Sequence, residues 1–590
     1  MPSLTPREIP VVIIGAGPSG TTAANLLGQQ GIPCLIIERH HDIYPLPRAV
    51  HLDDETFRIM QSGGLADDVR AITRPALGMQ LLNSDHQPFA RFHRDPTDSG
   101  QGHPGANMFD QATLEAVLRR GLARFPHVDL RCGAEAVAVE TGHTHGPAPL
   151  RVTIRDSISG RLEQIWTHAI LGCDGANSNT RTTIGTTMED LHFTQSWLVI
   201  DVHSEQLLEN WDGIHQVCDP HRAATYMRIG PQRYRWEFQI RAGESAHELS
   251  RTEVVHQLVA PWLGSVDPQQ LTVLRQTSYT FHALIARRWR RGRIFLLGDA
   301  AHQTPPFLGQ GLCAGIRDAA NLTWKLALVL TGHADEQLLD SYQTERRPHA
   351  RQTVRTAVLL GRTMTSGATA TGTARQALFV RATGLSAFQK IMDRSVSPPL
   401  RPGPLVRPAS RLLPGRPQPA GRLCPQPLVR TAADTATAAA TEIPLDDLLG
   451  DGFAVLARCT DWIFAFNWTS AIDEDARAFF ARLRTRYIGI VPLHSPLPVT
   501  SDDIKIIHDT SGTLGRWLTR HRASAALLRP DRTVFTTARA VDLTLWRREL
   551  ESAGVRDVPQ LLRSADSWQQ PRQPLVHGAD HARSPHLHVG

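Results

Sequence analysis

The sequence predicts an α/β protein of several units: a parallel sheet at the N-terminus, an antiparallel sheet in the middle and a separate small α/β domain toward the C-terminus. Three observations predict it. The chain opens on a short apolar run, a glycine turn and a helical pattern that leads to a second apolar run. Residues 191–279 hold stretches that alternate apolar and polar side chains, as a half-exposed antiparallel sheet requires. After a proline-rich stretch, short apolar runs again alternate with helical patterns.

The length of 590 residues allows about three to five domain-sized units, which excludes a single small binding module. Hydrophobic residues at 41% and charged residues at 20% are ordinary for a soluble globular chain with a large core. The net charge of +6 is thin over this length, and no basic stripe is interleaved with aromatics, so a nucleic-acid partner is not expected. Seven widely spaced cysteines without C-x-x-C point to reduced thiols in a cytoplasmic protein. The apolar run at 11–14 is too short for a signal peptide, and no stretch nears the ~18 apolar residues of a membrane span, so no membrane partner is expected.

The first element is the strand at 11–14, followed by a turn, a helix over about 21–30 and a second strand at 34–37 that ends in Glu38. The turn reads Gly15-Ala16-Gly17-Pro18-Ser19-Gly20, a G-x-G-x-x-G in the strand-turn-helix setting of a dinucleotide site. Gly15 permits the tight turn, Gly17 admits a pyrophosphate to the backbone, and Gly20 lets helix and strand pack closely. Glu38 is placed to accept hydrogen bonds from ribose hydroxyls, while Arg39 beside it leaves a 2′-phosphate contact open. This turn alone does not separate FAD from NAD.

Two later motifs separate them. LGCDGANSNTR brings an apolar strand to Asp174, and RIFLLGDAAHQTPPFLGQGLCAGIRDAANLTWKLA brings another to Gly298 and Asp299 before a glycine-punctuated turn opens a long helix. Asp299 can hydrogen-bond a ribityl hydroxyl, and the amides around Gly309 and Gly311 can face the pyrimidine edge of a flavin. A helix N-terminus there stabilises an anionic reduced ring. The first fingerprint occurs once, so one resident FAD with a transient nicotinamide is the economical reading.

These stretches, with YPLPRAVHLDDETFRIMQSGGL, NMFDQATLEAVLR, QVCDPHRAATYMRIGPQRYRWEF and LLDSYQTERRPH, resemble the single-component flavoprotein aromatic hydroxylases, the para-hydroxybenzoate hydroxylase group. The resemblance spans about 10–350 and is nearest to the 3-(3-hydroxyphenyl)propionate hydroxylase subfamily. It implies a Rossmann-like FAD-binding domain of glutathione-reductase type (1–80, 105–190 and 280–395) and a substrate-binding β-sheet domain (81–104 and 191–279). The implied FAD contacts are Gly15, Ala16, Gly17, Pro18, Ser19, Gly20, Glu38, Arg39, Arg48, Gln111, Asp174, Gly298, Asp299, Pro306, Gly309, Gly311 and Leu312. The implied reaction uses NADH or NADPH and O2, through a flavin C4a-hydroperoxide, to hydroxylate a small phenolic substrate. Tyr226, Arg235 and Trp236 are the expected substrate contacts, since an arginine can hold a carboxylate and aromatics can stack a ring. His51 or Asp53 would help deprotonate the phenol, and His302 would support the flavin site structurally.

The stretch from Ser397 to Pro427 carries ten prolines and is expected to be an extended linker, continuing to about 441. Residues 442–563 are expected to form the α/β domain, which resembles the thioredoxin-like domain of the subfamily but lacks C-x-x-C, so disulfide chemistry is not expected. Residues 564–590 read as a solvated tail whose histidines lack ligand spacing, and no metal is expected. A homodimer stays open. Two rival functions also stay open: a tailoring oxygenase of a larger aromatic compound, hydroxylating or of Baeyer–Villiger type, and a non-catalytic flavin-binding redox sensor. Hydrolase and metalloprotease readings fail for want of G-x-S-x-G after a strand and of H-E-x-x-H.

Overall fold

A computed structural model describes residues 7–43, 49–140, 148–365, 381, 397–408, 418–432, 442–461, 473–498, 500 and 503–561. The parallel sheet is built around the strand Arg7–Ile14, whose apolar residues are buried on both faces. It pairs in parallel with Cys34–Glu38 on one side and Leu162–Gly172 on the other. Val128–Cys132 and Ile294–Leu296 extend the sheet outward in parallel, and Ala134–Glu140 and Leu150–Asp156 add an antiparallel branch. The helix Pro18–Gln29 packs against the long helix Gly311–Leu330, and the two glycine turns that open them lie at the same end of the sheet. This is the open α/β arrangement in which ligands sit beyond the carboxyl ends of the strands.

The second sheet has eight strands, and its two longest, Met188–His203 and Thr272–Ala286, pair with each other toward one edge. It is antiparallel except where Ile214–Val217 runs parallel to Gly78–Leu82. Its boundaries reach beyond the expected 191–279, because both long strands continue past the sheet's middle toward the flavin-side domain. One face packs Leu198, Ile200, Tyr226, Tyr234 and Trp236 against the helix Thr252–Val259 and Trp262. The other face looks toward the glycine turns.

The C-terminal domain is a seven-stranded mixed sheet. Its edge corrects the expected linker. Leu428–Thr431 is a strand of this sheet, pairing with Glu442–Pro444 and Ile504–His508, and Leu423 bridges to Thr533. The prolines end at Pro427, which leaves the next four residues free to donate to a ladder. The run WIFAFNW and residues 564–590 lie outside the described residues.

The domain is docked through buried charge. Arg58 places Nε and Nη2 on the Asp446 carboxylate at 2.7 and 2.6 Å, and Arg529 places two nitrogens on Glu345. Glu345 also accepts from Lys325 Nζ at 2.8 Å. Burying such charges is tolerable only when each is paired, so these contacts fix one docking geometry.

Candidate active site

One cavity of about 1080 Å³ runs from the N-terminal glycine turn to the second sheet. At one end, Gly15 adopts φ +103° beneath the Cys173 carbonyl, where a side chain would overlap the backbone. A Cβ on Gly20 would strike the Gly15 carbonyl. Gly17 differs: nothing stands within 4 Å of its would-be Cβ, so its openness faces the cavity and leaves room for a pyrophosphate. The helix Pro18–Gln29 begins there with no side-chain cap, so its first amides are available to an anion.

Glu38 ends its strand with Oε2 accepting from the Ala16 amide and Oε1 from the His40 amide, both at 2.9 Å. The carboxylate is thereby fixed at the cavity wall beside Arg39. Gln111 holds the Ala49 amide through Oε1 at 2.8 Å and donates to Glu115. Asp174 accepts from Ser178 Oγ, Thr180 N and Thr180 Oγ1, so it shapes its own turn while lining the cavity. Asp299 follows Gly298, whose φ of +59° and closeness to Ser19 exclude a side chain. Pro306, Gly309, Gly311 and Leu312 complete this wall, and the helix Gly311–Leu330 again starts uncapped. Ala16 and Gly20 support the turn from behind, and Arg48 lies outside the described residues. A long cradle with two uncapped helix starts, a ribose-placed acid and glycines that admit no Cβ fits FAD.

His302 is fully buried away from the cavity: its Nε2 meets Asp318 Oδ2 at 2.8 Å, and Arg346 holds the other oxygen at 2.8 Å. This pair ties the imidazole to the helix Gly311–Leu330.

The structure separates the two candidate bases. His51 lines the cavity against the Gly309 turn, with Nδ1 lacking a hydrogen-bond partner among the described residues. Burial lowers its pKa, which favours the neutral imidazole. Asp53 is otherwise engaged: it caps the helix Asp54–Ser62 through Thr56 and accepts from Gln310 at 3.0 Å and from Arg317. Arg317 and the Thr56 hydrogen bonds outweigh burial and hold its carboxyl well below the usual range, so Asp53, which also lines the cavity, is a charged group committed to the scaffold.

The expected substrate contacts also move. Tyr226 and Trp236 point to the far side of the second sheet, into the core around Trp262. Arg235 is committed to Asp201 through Nε at 2.6 Å and Nη2 at 3.0 Å and does not line the cavity. Strand alternation supplies the reason for Tyr226 and Trp236, since shifting by one residue exchanges the two faces, whereas Arg235 shares the face of Glu237 and is withheld by its ion pair with Asp201. The cavity is lined instead by Thr225, Met227 and Glu237, with Gln216 beside them and Trp197, Phe281 and His282 on the neighbouring strands. Trp197 meets Phe307 of the flavin-side turn edge to face, with ring centroids 5.8 Å apart. The signal for Glu237 was a lone acid between Trp236 and Phe238 in a strand buried on both sides.

The fold and the cradle define a flavoprotein in which a nucleotide site opens directly onto an apolar substrate chamber. Comparison with known proteins places it further. An FAD binding domain model matches residues 8–357, and an HcaD C-terminal domain model matches 421–553. The chain is 34% identical to a probable NADH-specific resorcinol 4-hydroxylase of Rhodococcus jostii (strain RHA1), over 94% of this chain and 96% of that one. It is also 34% identical to a 3-(3-hydroxy-phenyl)propionate/3-hydroxycinnamic acid hydroxylase of Mycobacterium sp. (strain KMS), over 89% and 87%. The flavin-dependent monooxygenase PieE, solved with FAD and substrate, shares the fold at TM-score 0.74 and 22% identity, over 93% of this chain and 99% of that one. The chain belongs to the FAD-dependent aromatic hydroxylases.

Proposed function

We propose that the protein uses NADH and O2 to hydroxylate a phenolic ring held between the flavin cradle and the second sheet. The observation that carries this reading is the continuity of the cavity, from Gly17 and Glu38 to Trp197, Gln216 and Glu237. FAD, when bound, supplies the reducing and oxygen-transferring chemistry. The chain's own residues bind, orient and exclude water. Gly15, Gly17, Ser19 and Glu38 would hold the adenosine and pyrophosphate part, and Asp299 with the Gly309–Leu312 turn would hold the flavin end. Trp197, Phe281, Phe307, Met79 and Met227 would enclose an aromatic ring in an apolar wall. His51, neutral and in the same cavity, is the group we assign to accept the phenol proton, which makes the ring a better partner for an electrophilic oxygen.

A phenol as substrate and NADH as reductant are supported by the relatives' named activities. The seven cysteines are free thiols, which supports a reducing, cytoplasmic setting, and no helix among the described residues is long and apolar enough to cross a membrane. The test is NADH oxidation by the purified yellow holoenzyme with resorcinol or 3-(3-hydroxyphenyl)propionate. Stimulated consumption with a product one oxygen atom heavier is expected. Consumption that no phenol stimulates would contradict the reading.

A further inference from the structure

Glu237 lies on the strand Arg233–Ile240, and the alternation that sends Trp236 and Phe238 into the core turns its carboxyl toward the cavity. The residue is 7% exposed. Its ion contact among the described residues is Arg235 Nη1 at 4.0 Å, at the outer limit of such a pair. Arg235 is already gripped in two places by Asp201, which takes Arg275 as well at 2.7 Å. Two guanidinium groups therefore face two carboxylates in this cluster, and no positive charge is left over for a carboxylate arriving from the cavity.

In register across three strands, Gln216 pairs with Thr225 and Thr225 with Glu237, and all three line the cavity. The first two satisfy each other: Thr225 Oγ1 donates to Gln216 Oε1 at 3.1 Å, and Gln216 Nε2 donates to the Ala224 carbonyl at 3.1 Å. Glu237 receives no such donor from this row. Burial pushes its carboxyl up, the cost of a buried acid that nothing nearby fully compensates. The missing partner is a hydrogen-bond donor from the cavity side.

The geometry points to Glu237 as the substrate-binding carboxyl of the cavity: it accepts a hydrogen bond from a hydroxyl on the aromatic ring. It thereby selects a ring that carries a second neutral hydroxyl over one that carries a carboxylate side chain at that end. The assignment rests on the hydroxylase reading for the identity of the ligand, but its test reads binding and not turnover.

The experiment titrates oxidised wild-type, Glu237→Gln and Glu237→Leu holoenzymes with resorcinol and with 3-(3-hydroxyphenyl)propionate, following the perturbation of the flavin spectrum. Wild type binds resorcinol more tightly than the propionate. Glu237→Gln, nearly isosteric, loses about tenfold in resorcinol affinity, the scale of one charge-assisted hydrogen bond. Glu237→Leu loses more, and neither variant loses affinity for the propionate. Flavin content equal to wild type reports an intact fold. The assignment is overturned by unchanged resorcinol affinity, by equal losses for both ligands, by tighter wild-type binding of the propionate, or by a wild type that binds neither. Glu237-dependent binding without NADH consumption would remove the hydroxylase reading and leave this site standing.

Discussion

Arg317 and Asp53 form a buried ion pair that ties the long helix Gly311–Leu330 to the strand His51–Asp53, and so fixes the distance between the flavin-side turn and the candidate base His51. The same guanidinium reaches Glu55 at 2.6 Å and Gln310 at 2.9 Å. Breaking one side of such a cluster leaves a charge buried without its counterion, at a cost of about 3–5 kcal/mol. Asp53→Asn should therefore lower stability toward urea by about that amount, measured on the holoenzyme. A stable Asp53→Asn variant with only its turnover abolished would instead mark Asp53 as the base.

His51→Asn tests the other half of that division. Loss of a positioned proton acceptor typically costs about 10²–10⁴ in rate, so phenol-stimulated NADH oxidation coupled to product should fall by at least about a hundredfold. Flavin retention should not change. Full activity in this variant would leave the phenol without a side-chain base.

Tyr226→Phe should leave phenol binding and turnover at wild-type values. Its hydroxyl accepts from Asn210 Nδ2 at 3.3 Å on the far side of the sheet, a contact worth about 1 kcal/mol. Chemical denaturation would register that small loss. A changed Km for the phenol would return Tyr226 to the substrate site.

The glycine turn was readable from the sequence because Gly15 and Gly20 each answer a backbone constraint that no other residue meets, while Gly17 leaves open space on the cavity side, as that spacing required. The acid at Glu38 and the turn at Gly298–Asp299 were readable for the same reason: strand ends and turns are local. The sheet's substrate face was not. YRWEFQIR alternates, but alternation alone does not say which set of residues faces the flavin side, and the larger aromatic set, Tyr226, Tyr234 and Trp236, went to the core because Trp262 and the helix Thr252–Val259 cover that face. The strand Leu428–Thr431 was hidden by the prolines before it, since its partner Ile504–His508 lies more than seventy residues on. Docking through Arg58–Asp446 and Arg529–Glu345 was illegible for a like reason: no local pattern links residues so far apart.

Asp54 gives a pH signature. Burial, reinforced by neighbouring Asp53, raises its carboxyl to about 6. The folded protein thus keeps this proton to a higher pH than the unfolded chain does, so the group costs stability as pH rises from about 4 to 6 and remains costly above. Asp54→Asn should remove that decline, with the gain over wild type absent near pH 4 and complete above about pH 6. Urea midpoints measured across this range check the sign, and a gain that appears only at the acid end would contradict it.

Gly17 and Gly20 separate fold from ligand. A Cβ at Gly20 meets the Gly15 carbonyl, so Gly20→Ala should fail to give stable protein, whereas the open space around Gly17 predicts that Gly17→Ala folds normally and loses FAD. Flavin content per folded chain distinguishes the two, and full FAD retention in Gly17→Ala would show that the cradle does not hold the pyrophosphate there.

The most direct test of the whole account is the rate of NADH oxidation by purified FAD-loaded enzyme with and without a phenol, with mass analysis of the organic product. The account predicts marked acceleration by resorcinol and a product carrying one additional ring hydroxyl. An oxidation rate indifferent to every phenol tried, with the aromatic compound recovered unchanged, would contradict it.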